Sequence, residues 1–479
     1  MRNRRPNCFF LTRSFLPTAL TAVALLNASP TALRAQRTVS SWLTTPDSTN
    51  LVKKQTPIHF TRQHASAAAI NVDDSQTFQT MDGFGHAVTG GSAELLEKMS
   101  PTAREALLKE LFGNGPGQMN MSYIRVSIGA SDMNDHVYTY DDLPAGDVDP
   151  EMSHFSLTPD EAYVLPVLKQ IVSIQPGIKI LASPWTPPDW MKDNNLPKGG
   201  TLKKEFYPAY ALYLVKYLQG MAANGVPITA LTVQNEPENP KNTPSMVFTA
   251  EQEADFIGTA LGPGLQKAGL HTEVIAFDHN CDHPQYPITV LKDPTAGKYT
   301  SGSGFHLYLG EINALTTVHD AFPRKDIFFT EQMVIPHKSA TSLEIAEPVA
   351  RILVGATENW SRNVLLWNLA ADPQNGPHTN NGGCPICSGA ITLDGDSVKR
   401  NLAYYVTAHL TPFVPAGSVR IGSPGEGVSL PHVAFRTPTN RHVLLVSNTK
   451  ASDSTFAIRY KGKEAVTTLP AGSVATYVW

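Results

Sequence analysis

The sequence predicts an α/β protein, a (β/α)8 TIM barrel with an attached antiparallel β-sandwich that both ends of the chain form. Short β-branched or aromatic runs alternate with amphipathic helical stretches through the middle of the chain. Eight such runs can be counted, and strand–helix repeats of that number close most simply into a parallel barrel. The two flanks contain alternating β-type runs separated by Pro and Gly, which is typical of sandwich strands.

The composition indicates a large folded protein. Of 479 residues, 42% are hydrophobic and 17% are charged, which leaves ample material for a core. The formal net charge is −4, and an acidic chain is a poor binder of nucleic acid. We therefore expect no nucleic-acid partner, and no pattern indicates an oligomeric state.

The N-terminus predicts a signal peptide over residues 1–35. This segment contains several arginines and no acidic residue, and its apolar stretch from Phe15 to Leu26 is too short to span a bilayer. We expect a secreted or periplasmic protein without a stable membrane span. Cys384 and Cys387 are close enough to form a local disulfide in an oxidising compartment, which leaves Cys281 unpaired.

The barrel is expected over residues 81–410, between sandwich segments 36–80 and 411–479. Amphipathic helices are expected near 103–111, 209–218, 254–265 and 345–354. The predicted strands end near Gly85, Gly129, Trp185, Gln234, Asp278, Tyr308, Thr330 and Asn368.

Two of these strands share a pattern, in which an apolar run is followed by a glutamate at its C-terminal end. The strings are Leu231–Pro237, with Glu236, and Asp326–Gln332, with Glu331. Barrel enzymes assemble their sites from the C-terminal ends of the strands, so both carboxyl groups are expected at one rim. Two facing carboxyl groups can break a glycosidic bond, one as the proton donor and one as the nucleophile. The pattern predicts a sugar hydrolase that needs no cofactor and no metal.

The chain also resembles a known family, the glucosylceramidase-like glycosidases of glycoside hydrolase family thirty, from about Trp42 to Trp479. Seven motifs carry the resemblance in the family's order, each at a predicted strand end. They are Met81–Gly85, Ile124–Val126 continuing to Ser131-Asp132, Leu181–Thr186, Gln234–Pro237, Phe305–Tyr308, Thr330-Glu331 and Leu366–Ala370. The resemblance implies a retaining mechanism, in which Glu236 is the general acid/base and Glu331 forms a covalent glycosyl-enzyme.

Further site residues follow from the same resemblance. Asn235 is similar to the residue that hydrogen-bonds the sugar 2-hydroxyl, although an Asn before Glu-Pro can also cap a turn. Asp132 is similar to an ionised carboxylate that accepts hydrogen bonds from distant ring hydroxyls. In this scheme the carboxyls lie about 5 to 5.5 Å apart, and ionised Glu331 raises the pKa of Glu236 by like-charge repulsion.

The remaining substrate-binding candidates are chosen for their side chains and their places on strands. Arg125 lies inside an apolar strand and cannot remain unpaired, so we expect it to orient Glu331 or a neighbour. Trp185 and Trp367, at strand ends, are expected to form pocket walls for a pyranose. His306 and Tyr308 are two residues apart on one strand and are assigned to the floor of the site.

Two other classes of function stay open. Asp278-His279-Asn280-Cys281-Asp282-His283 contains metal-capable side chains, although its spacing fits no zinc signature. A catalytically silent carbohydrate-binding protein is the other alternative. Among substrates, we expect an exo-acting hydrolase of β-glucosides, glucosylceramide-like or derived from β-glucan, with an endo-β-1,6-glucanase next and a xylan-active enzyme as a further possibility. Residues 372–389 depart from the glucosylceramidase pattern, so either Asn380 or Asn381 is the candidate for a sugar contact there.

Overall fold

The computed structural model describes residues 38–62, 68–337 and 339–479. The predicted signal peptide lies outside these described residues. Among the helices in the described part of the chain, none has the length and apolar character needed to cross a membrane.

The strands are numbered in chain order. Those before the barrel are β1 (Thr38–Thr44), β2 (Lys53–Lys54), β3 (Ile58–His59), β4 (Ala69–Asn71) and β5 (Asp73–Thr80). The barrel strands are β6 (Gly83–Ala87), β7 (Tyr123–Ile128), β8 (Lys179–Pro184), β9 (Ala230–Thr232), β10 (Glu273–Cys281), β11 (Thr300–Gly310), β12 (Asp326–Glu331) and β13 (Ser361–Asn368). Those that follow are β14 (Ala370–Ala371), β15 (Ile391–Asp394), β16 (Ser397–Arg400), β17 (Val419–Gly422), β18 (Gly425–Glu426), β19 (His432–Arg436), β20 (His442–Ser447), β21 (Ser454–Tyr460), β22 (Lys463–Leu469) and β23 (Val474–Val478).

The helices lie between the strands of the barrel and after the last of them. The α-helices are α1 (Gly90–Lys98), α2 (Pro101–Phe112), α3 (Val164–Ile174), α4 (Tyr207–Ala223), α5 (Ala250–Phe256), α6 (Gly262–Lys267), α7 (Gln285–Lys292), α8 (Ala296–Tyr299), α9 (Ala314–Ala321), α10 (Ala346–Pro348), α11 (Gly355–Glu358) and α12 (Leu402–Ala408). Short 3₁₀ turns occupy Thr158–Asp160, Asp189–Met191 and Lys204–Phe206, and π-helical turns occupy Ile257–Leu261 and Val349–Val354.

Strands β6 to β13 form a closed parallel barrel in which neighbours in sequence are neighbours in space. The prediction of a (β/α)8 barrel is confirmed. Two helices differ from the prediction, because a π-helical turn interrupts each of the stretches expected at 254–265 and 345–354. In the first, Pro263 has no amide hydrogen and its ring disfavours a regular α-helical turn, and the wider π-turn precedes it.

The sandwich combines strands from both ends of the chain, as expected. One sheet has the order β2-β1-β23-β20-β19-β17-β5, with β3 pairing β1, and the other has the order β18-β4-β21-β22. The pairing differs from the prediction at one place, since β4 runs parallel to β21. These two strands come from opposite ends of the sequence, so no hairpin imposes an antiparallel direction on them.

The interior of the barrel is filled in layers. Its lower layer is an apolar cluster with one side chain from each of six strands, namely Tyr123, Leu181, Ala230, Ile275, Phe328 and Leu365. Side chains alternate along a strand, so the residues two positions further on face the same interior. Those positions include Arg125, Ser183 and Thr232, all buried. A polar layer therefore lies directly on the apolar one, at the C-terminal end of the barrel.

Candidate active site

A cavity of about 510 Å³ opens at the C-terminal ends of the barrel strands. Seven of the substrate-site candidates line it, and the loop after β14 contributes a further wall. The lining residues are Asp132, Trp185, Asn235, Glu236, Asn239, Asn242, Asn280, Tyr308, Leu309, Glu331, Met333, Trp367 and 382–387. Two further candidates, Arg125 and His306, are fully buried beneath this lining.

Glu236 and Glu331 come together across the cavity although 95 positions separate them in the sequence. One carboxylate oxygen of each, together with a ring nitrogen of His306, lies within 4.8 Å of the others. Both side chains are almost completely buried, at 7% and 6% exposure. The spatial condition for two-carboxylate chemistry on one bond is met.

Glu236 follows β9 in an unusual backbone conformation. Its φ is 45°, a left-handed region that is costly for a residue with a Cβ and that concentrates at functional sites. Asn239 and Asn242 donate to its Oε2 at 2.7 and 3.3 Å, and His306 Nδ1 lies 3.1 Å from its Oε1. These two asparagines were missed in the sequence, where a loop Asn carries no distinguishing pattern.

The charge on His306 reverses one expectation. Burial opposes its protonation, but the surrounding carboxylates of Glu331, Asp278 and Glu236 raise the pKa of His306 to about 9. Burial also works against ionisation of Glu236, yet the His306 cation lowers the pKa of Glu236 to about 2. The prediction that Glu331 raises the pKa of Glu236 is wrong, because the imidazolium contacts Glu236 directly and lowers that pKa.

Glu331, the last residue of β12, is held at both carboxylate oxygens. Arg125 Nη1 pairs with Oε2, and the Tyr308 hydroxyl donates to Oε1 at 2.8 Å. Burial raises the pKa of Glu331 above its ordinary value, while His306 and Arg125 act in the opposite direction. The two positive groups thus favour the ionised carboxylate that a nucleophile requires.

Beneath the cavity, Arg125 joins several residues of the site through hydrogen bonds. Its Nη2 donates to Asn235 Oδ1 at 2.7 Å and to Asp278 Oδ2 at 2.8 Å, and its Nε donates to Ser183 Oγ at 3.0 Å. The guanidinium also lies over the ring of Trp185, 4.9 Å from the centroid. The expected pairing of Arg125 with Glu331 is present, and Asp278 is a second partner.

Asp278 is a site residue that the sequence did not identify in this role. It is fully buried, accepts from Arg125, Ser183 and Thr232, and lies 3.0 Å from His306 Nε2. Strand alternation from Ile275 would direct Phe277 inward and Asp278 outward. A register shift between Phe277 and His279, with positive φ at Phe277 and Asp278, reverses that order. Such a β-bulge changes the direction in which a side chain points. No residue type in this segment predicts the bulge.

Asp132 and Asn235 differ in how they are held. Asn235 Oδ1 accepts from Arg125, which turns its amide NH₂ group away from the guanidinium. Asp132 is 6% exposed, and its Oδ1 has no hydrogen-bond partner among the described residues. Burial, with the nearby Glu331 and Glu236, raises the pKa of Asp132 to about 8. The protein's own groups therefore favour a neutral Asp132 at neutral pH, contrary to the expectation of an ionised carboxylate.

Trp185 and Trp367 lie together at the base of the cavity, with ring centroids 5.6 Å apart. Both line the cavity, as expected, and they pack in one cluster with Cys387. Cys384 and Cys387 form a disulfide, and Cys281 is free and buried. His306 and Tyr308 reach the two glutamates from one face of β11.

Neither candidate asparagine of the loop after β14 lines the cavity. Asn381 is exposed, and its backbone oxygen accepts from Lys198 and Thr243. Asn380 is exposed as well. Gly382 and the disulfide segment occupy the cavity wall instead.

Within the described residues, two groups have a spacing that suits a metal ion. They are Asp141 with Asp149 and His154, and Glu236 with His306 and Glu331. The segment 278–283 does not form such a group, because its side chains diverge. Asp278 points to Arg125 and His306, whereas His283 contacts Glu238 at 2.8 Å.

Comparison with known proteins identifies both parts of the chain. Residues 81–414 match the family model described as the glycosyl hydrolase family 30 TIM-barrel domain. Residues 417–477 match the model of the family 30 beta sandwich domain.

Individual relatives include enzymes of two kinds. The endo-1,6-beta-D-glucanase neg1 of Aspergillus fumigatus is 33% identical over 436 residues, covering 85% of this chain and 87% of the relative. The lysosomal acid glucosylceramidase of Mus musculus is 29% identical over 439 residues, covering 86% and 83%. Among solved structures, the endo-beta1,6-glucanase BT3312 superposes with a TM-score of 0.85 at 33% identity, covering 92% of this chain and 99% of that chain.

Proposed function

Because the chain belongs to glycosyl hydrolase family 30 and is a glycosidase, we propose that it is a retaining endo-β-1,6-glucanase with Glu236 as general acid/base and Glu331 as nucleophile. The observation that carries the proposal is the approach of Glu236 and Glu331 to within 4.8 Å. Retaining enzymes hold the two carboxyls about 5 to 5.5 Å apart, whereas inverting enzymes leave about 6.5 to 9.5 Å for a water molecule.

Glu331 is suited to attack the anomeric carbon. Arg125 and Tyr308 fix its two oxygens, so the carboxylate is oriented before substrate arrives. The same two contacts keep the nucleophile from rotating, and the Arg125 cation favours its ionised form. A covalent glycosyl-enzyme forms at one of these oxygens as the leaving group departs.

The proton for the leaving group is held by Glu236 and His306 together. Their hydrogen bond, 3.1 Å long, lets one proton lie on either partner, and the pair titrates as a unit. The raised pKa of His306 and the lowered pKa of Glu236 place this proton mainly on His306. As negative charge develops on the glycosidic oxygen, Glu236 supplies the proton and His306 becomes neutral; water later returns a proton to the pair.

The sugar before the scissile bond is recognised by an unpaired carboxyl oxygen, two aromatic faces and an oriented amide. Asp132 Oδ1 is buried and unpaired, which is costly unless a ligand hydroxyl donates to it. Trp185 and Trp367 present aromatic surface to the C–H face of a pyranose. Asn235, oriented by Arg125, supplies a donor for the 2-hydroxyl.

The choice of β-1,6-glucan rests on the relatives. The sequence favoured an exo-acting β-glucosidase and placed the endo-β-1,6-glucanase second, but the relatives support the second better. Two endo-1,6-glucanases reach 33% identity, whereas the glucosylceramidase relative reaches 29%. Glucosylceramide therefore serves as the competing substrate in the test.

The test uses pustulan, a linear β-1,6-glucan, beside glucosylceramide and a xylan. We expect release of β-1,6-oligosaccharides from pustulan at a far higher rate than hydrolysis of the other two. The first-released reducing sugar should be the β-anomer by NMR. Preferred cleavage of glucosylceramide, or initial release of the α-anomer, contradicts the specificity or the mechanism respectively.

Two variants test the assignments. Glu331→Gln should lose at least about 1,000-fold in kcat, since no nucleophile remains. Glu236→Gln should retain glycosylation by an activated aryl glycoside, whose leaving group needs little proton assistance, while pustulan cleavage falls steeply. Glu426→Gln serves as the control, because Glu426 forms an exposed ion pair with Arg459 in the sandwich. Its kcat should match that of the unaltered enzyme.

We also propose that the protein is exported. The arginine-containing, acid-free segment 1–35 and the Cys384–Cys387 disulfide both support an oxidising compartment. Expression with the native leader, followed by N-terminal sequencing of protein from the periplasm or medium, tests this. An intact N-terminus on cytoplasmic protein contradicts export.

A further inference from the structure

The loop that carries the disulfide places an apolar side chain at the mouth of the cavity. Ile386, between Pro385 and Cys387, is 54% exposed and lines the cavity. Leu309, which follows Tyr308, is 59% exposed and lines it as well. Aliphatic side chains that line a cavity and remain exposed offer apolar surface that a ligand can cover.

The disulfide fixes this loop against the base of the site. Cys387 is 5% exposed and packs in one cluster with Trp185 and Trp367, so the loop rests on the aromatic base while Ile386 remains at the surface. Backbone hydrogen bonds from Cys387 to Cys384 and from Ser388 to Ile386 close the turn. The position of Ile386 is thus preorganised before any substrate binds.

Hydrogen bonds connect the loop to the proton donor. Thr243 bonds to the backbone oxygens of Asn381 and Gly382, at 2.6 and 3.2 Å. The residue before it, Asn242, donates to Glu236. A general acid must contact the oxygen of the departing group, so the leaving sugar lies beside Glu236. Residues 381 and 382 of the disulfide loop are thus joined through Thr243 and Asn242 to the side of the cavity on which Glu236 lies, and we place the leaving sugar on that side.

The 1,6-linkage explains why contacts at the mouth matter. The leaving glucose is attached through its C6 methylene group, so one additional rotatable bond separates its ring from the scissile oxygen. That ring lies further from the base of the cavity than in a linkage directly to the ring, and its C–H face can rest on aliphatic side chains.

Building on the proposed function, we propose that Ile386, held in place by the Cys384–Cys387 disulfide, is a specificity-determining contact for the leaving-group glucose of a β-1,6-glucan. Leu309 provides a second apolar contact at the same mouth. The disulfide is a positioning element, and the side chain of Ile386 makes the contact.

The experiment compares two substrates that differ only in the leaving group. β-1,6-Gluco-oligosaccharides carry a leaving sugar, whereas β-gentiobiosyl fluoride carries the same type of glycosyl portion with a single fluorine atom in place of that sugar. Ile386→Ala should lower kcat/KM for the oligosaccharides about tenfold, and change it for the fluoride less than twofold. Ile386→Leu should restore most of the loss, because an aliphatic surface is retained. Val466→Ala, at a 46% exposed site in the sandwich, should alter neither substrate.

A second measurement concerns the disulfide. Reduction of the unaltered enzyme with dithiothreitol, or the double change Cys384→Ser and Cys387→Ser, should produce the same selective loss. Equal losses on both substrates, or no loss with Ile386→Ala, overturn the inference. Failure of the unaltered enzyme to cleave β-1,6-oligosaccharides at all, with the fluoride still hydrolysed, instead overturns the proposed substrate on which the inference rests.

Discussion

His306 lies between Glu236 and Asp278, with Nδ1 3.1 Å from one carboxylate and Nε2 3.0 Å from the other. Asp278 in turn pairs with Arg125, whose other nitrogen pairs with Glu331. The proton donor and the nucleophile are thus linked through a buried chain of alternating charges. Changes at any member are expected to alter the protonation of the others.

Replacement of His306 by Asn should narrow the pH range of activity. In the native protein one proton is shared by Glu236 and His306 up to the raised His306 pKa of about 9, so the alkaline limb of kcat/KM lies near that pH. Without the imidazole, Glu236 titrates alone as a carboxyl group. We expect the alkaline limb to fall by at least two pH units in His306→Asn, measured on pustulan.

His306 should also affect how the stability of the protein depends on pH. The pKa of His306 is raised from 6.5 to about 9 on folding, so its stabilising contribution is complete below pH 6.5 and disappears as the pH rises through 9. The Tm of the native protein should therefore decline more steeply between these values than the Tm of His306→Asn. Parallel Tm profiles, or an unchanged alkaline limb, contradict the shared proton.

Asp132→Asn should stabilise the protein at alkaline pH while damaging catalysis. The pKa of this carboxyl is raised from 3.8 to about 8, so its contribution to stability is complete below pH 3.8 and is lost as the pH rises through 8. Asparagine does not ionise and avoids that loss. The variant should be more stable than the native protein at pH 9, with a smaller difference at pH 5, by urea unfolding.

Activity supplies the second half of this test. Hydroxyl groups of a bound sugar that donate to Asp132 favour its ionised form, and an ionised acceptor binds them more strongly than an amide, so Asp132→Asn should lose at least about tenfold in kcat/KM. Asp394→Asn, an exposed carboxylate in β15, is the control. Full activity in Asp132→Asn would remove Asp132 from substrate recognition.

Tyr308→Phe should shift the acidic limb of activity. The Tyr308 hydroxyl donates to Glu331 Oε1 at 2.8 Å and thereby lowers the pKa of Glu331 against the effect of burial. Loss of the donor raises that pKa, so a higher pH is needed to ionise the nucleophile. We expect the acidic limb of kcat/KM to move to higher pH, with Tyr299→Phe, remote from the cavity, unchanged. An acidic limb at the same pH in Tyr308→Phe would contradict the role assigned to this hydroxyl.

Arg125→Lys should be strongly destabilising despite the retained charge. The guanidinium serves Glu331, Asp278, Asn235 and Ser183 at once, and a single ammonium group cannot reproduce that geometry. Buried carboxylates left without a partner cost about 3 to 5 kcal/mol. Urea unfolding should show a loss in this range, whereas Arg400→Lys, in a partly exposed pair with Glu110, should lose about 1 kcal/mol or less. Comparable losses in the two variants contradict the central role of Arg125.

Much of the site was predictable because strand ends are visible in a sequence. An apolar run that finishes in a glutamate, as at Glu236 and Glu331, indicates both the strand and the polar group at its C-terminal end. Arg125 was predictable for a related reason, since a cation inside an apolar strand requires a buried partner. Alternation along β11 likewise placed His306 and Tyr308 on one face.

Other features depend on relationships that no local pattern contains. The inward turn of Asp278 requires a bulge in β10, and the contacts of Asn239 and Asn242 with Glu236 require the folded loop. The predicted pKa direction of Glu236 and the predicted ionised state of Asp132 were both wrong, because a pKa depends on burial and on charges brought near from distant positions.

The sequence by itself determined the fold class, the eight strands, the participation of both flanks in the sandwich and the two glutamates at strand ends. Hydrophobic periodicity and residue chemistry are local properties, and they suffice for those features. Tertiary structure decided which carboxylate meets which cation, where the proton lies, and that an isoleucine beside a disulfide borders the cavity. Those outcomes depend on distances between groups that are far apart in the sequence, and the closed barrel is what sets those distances.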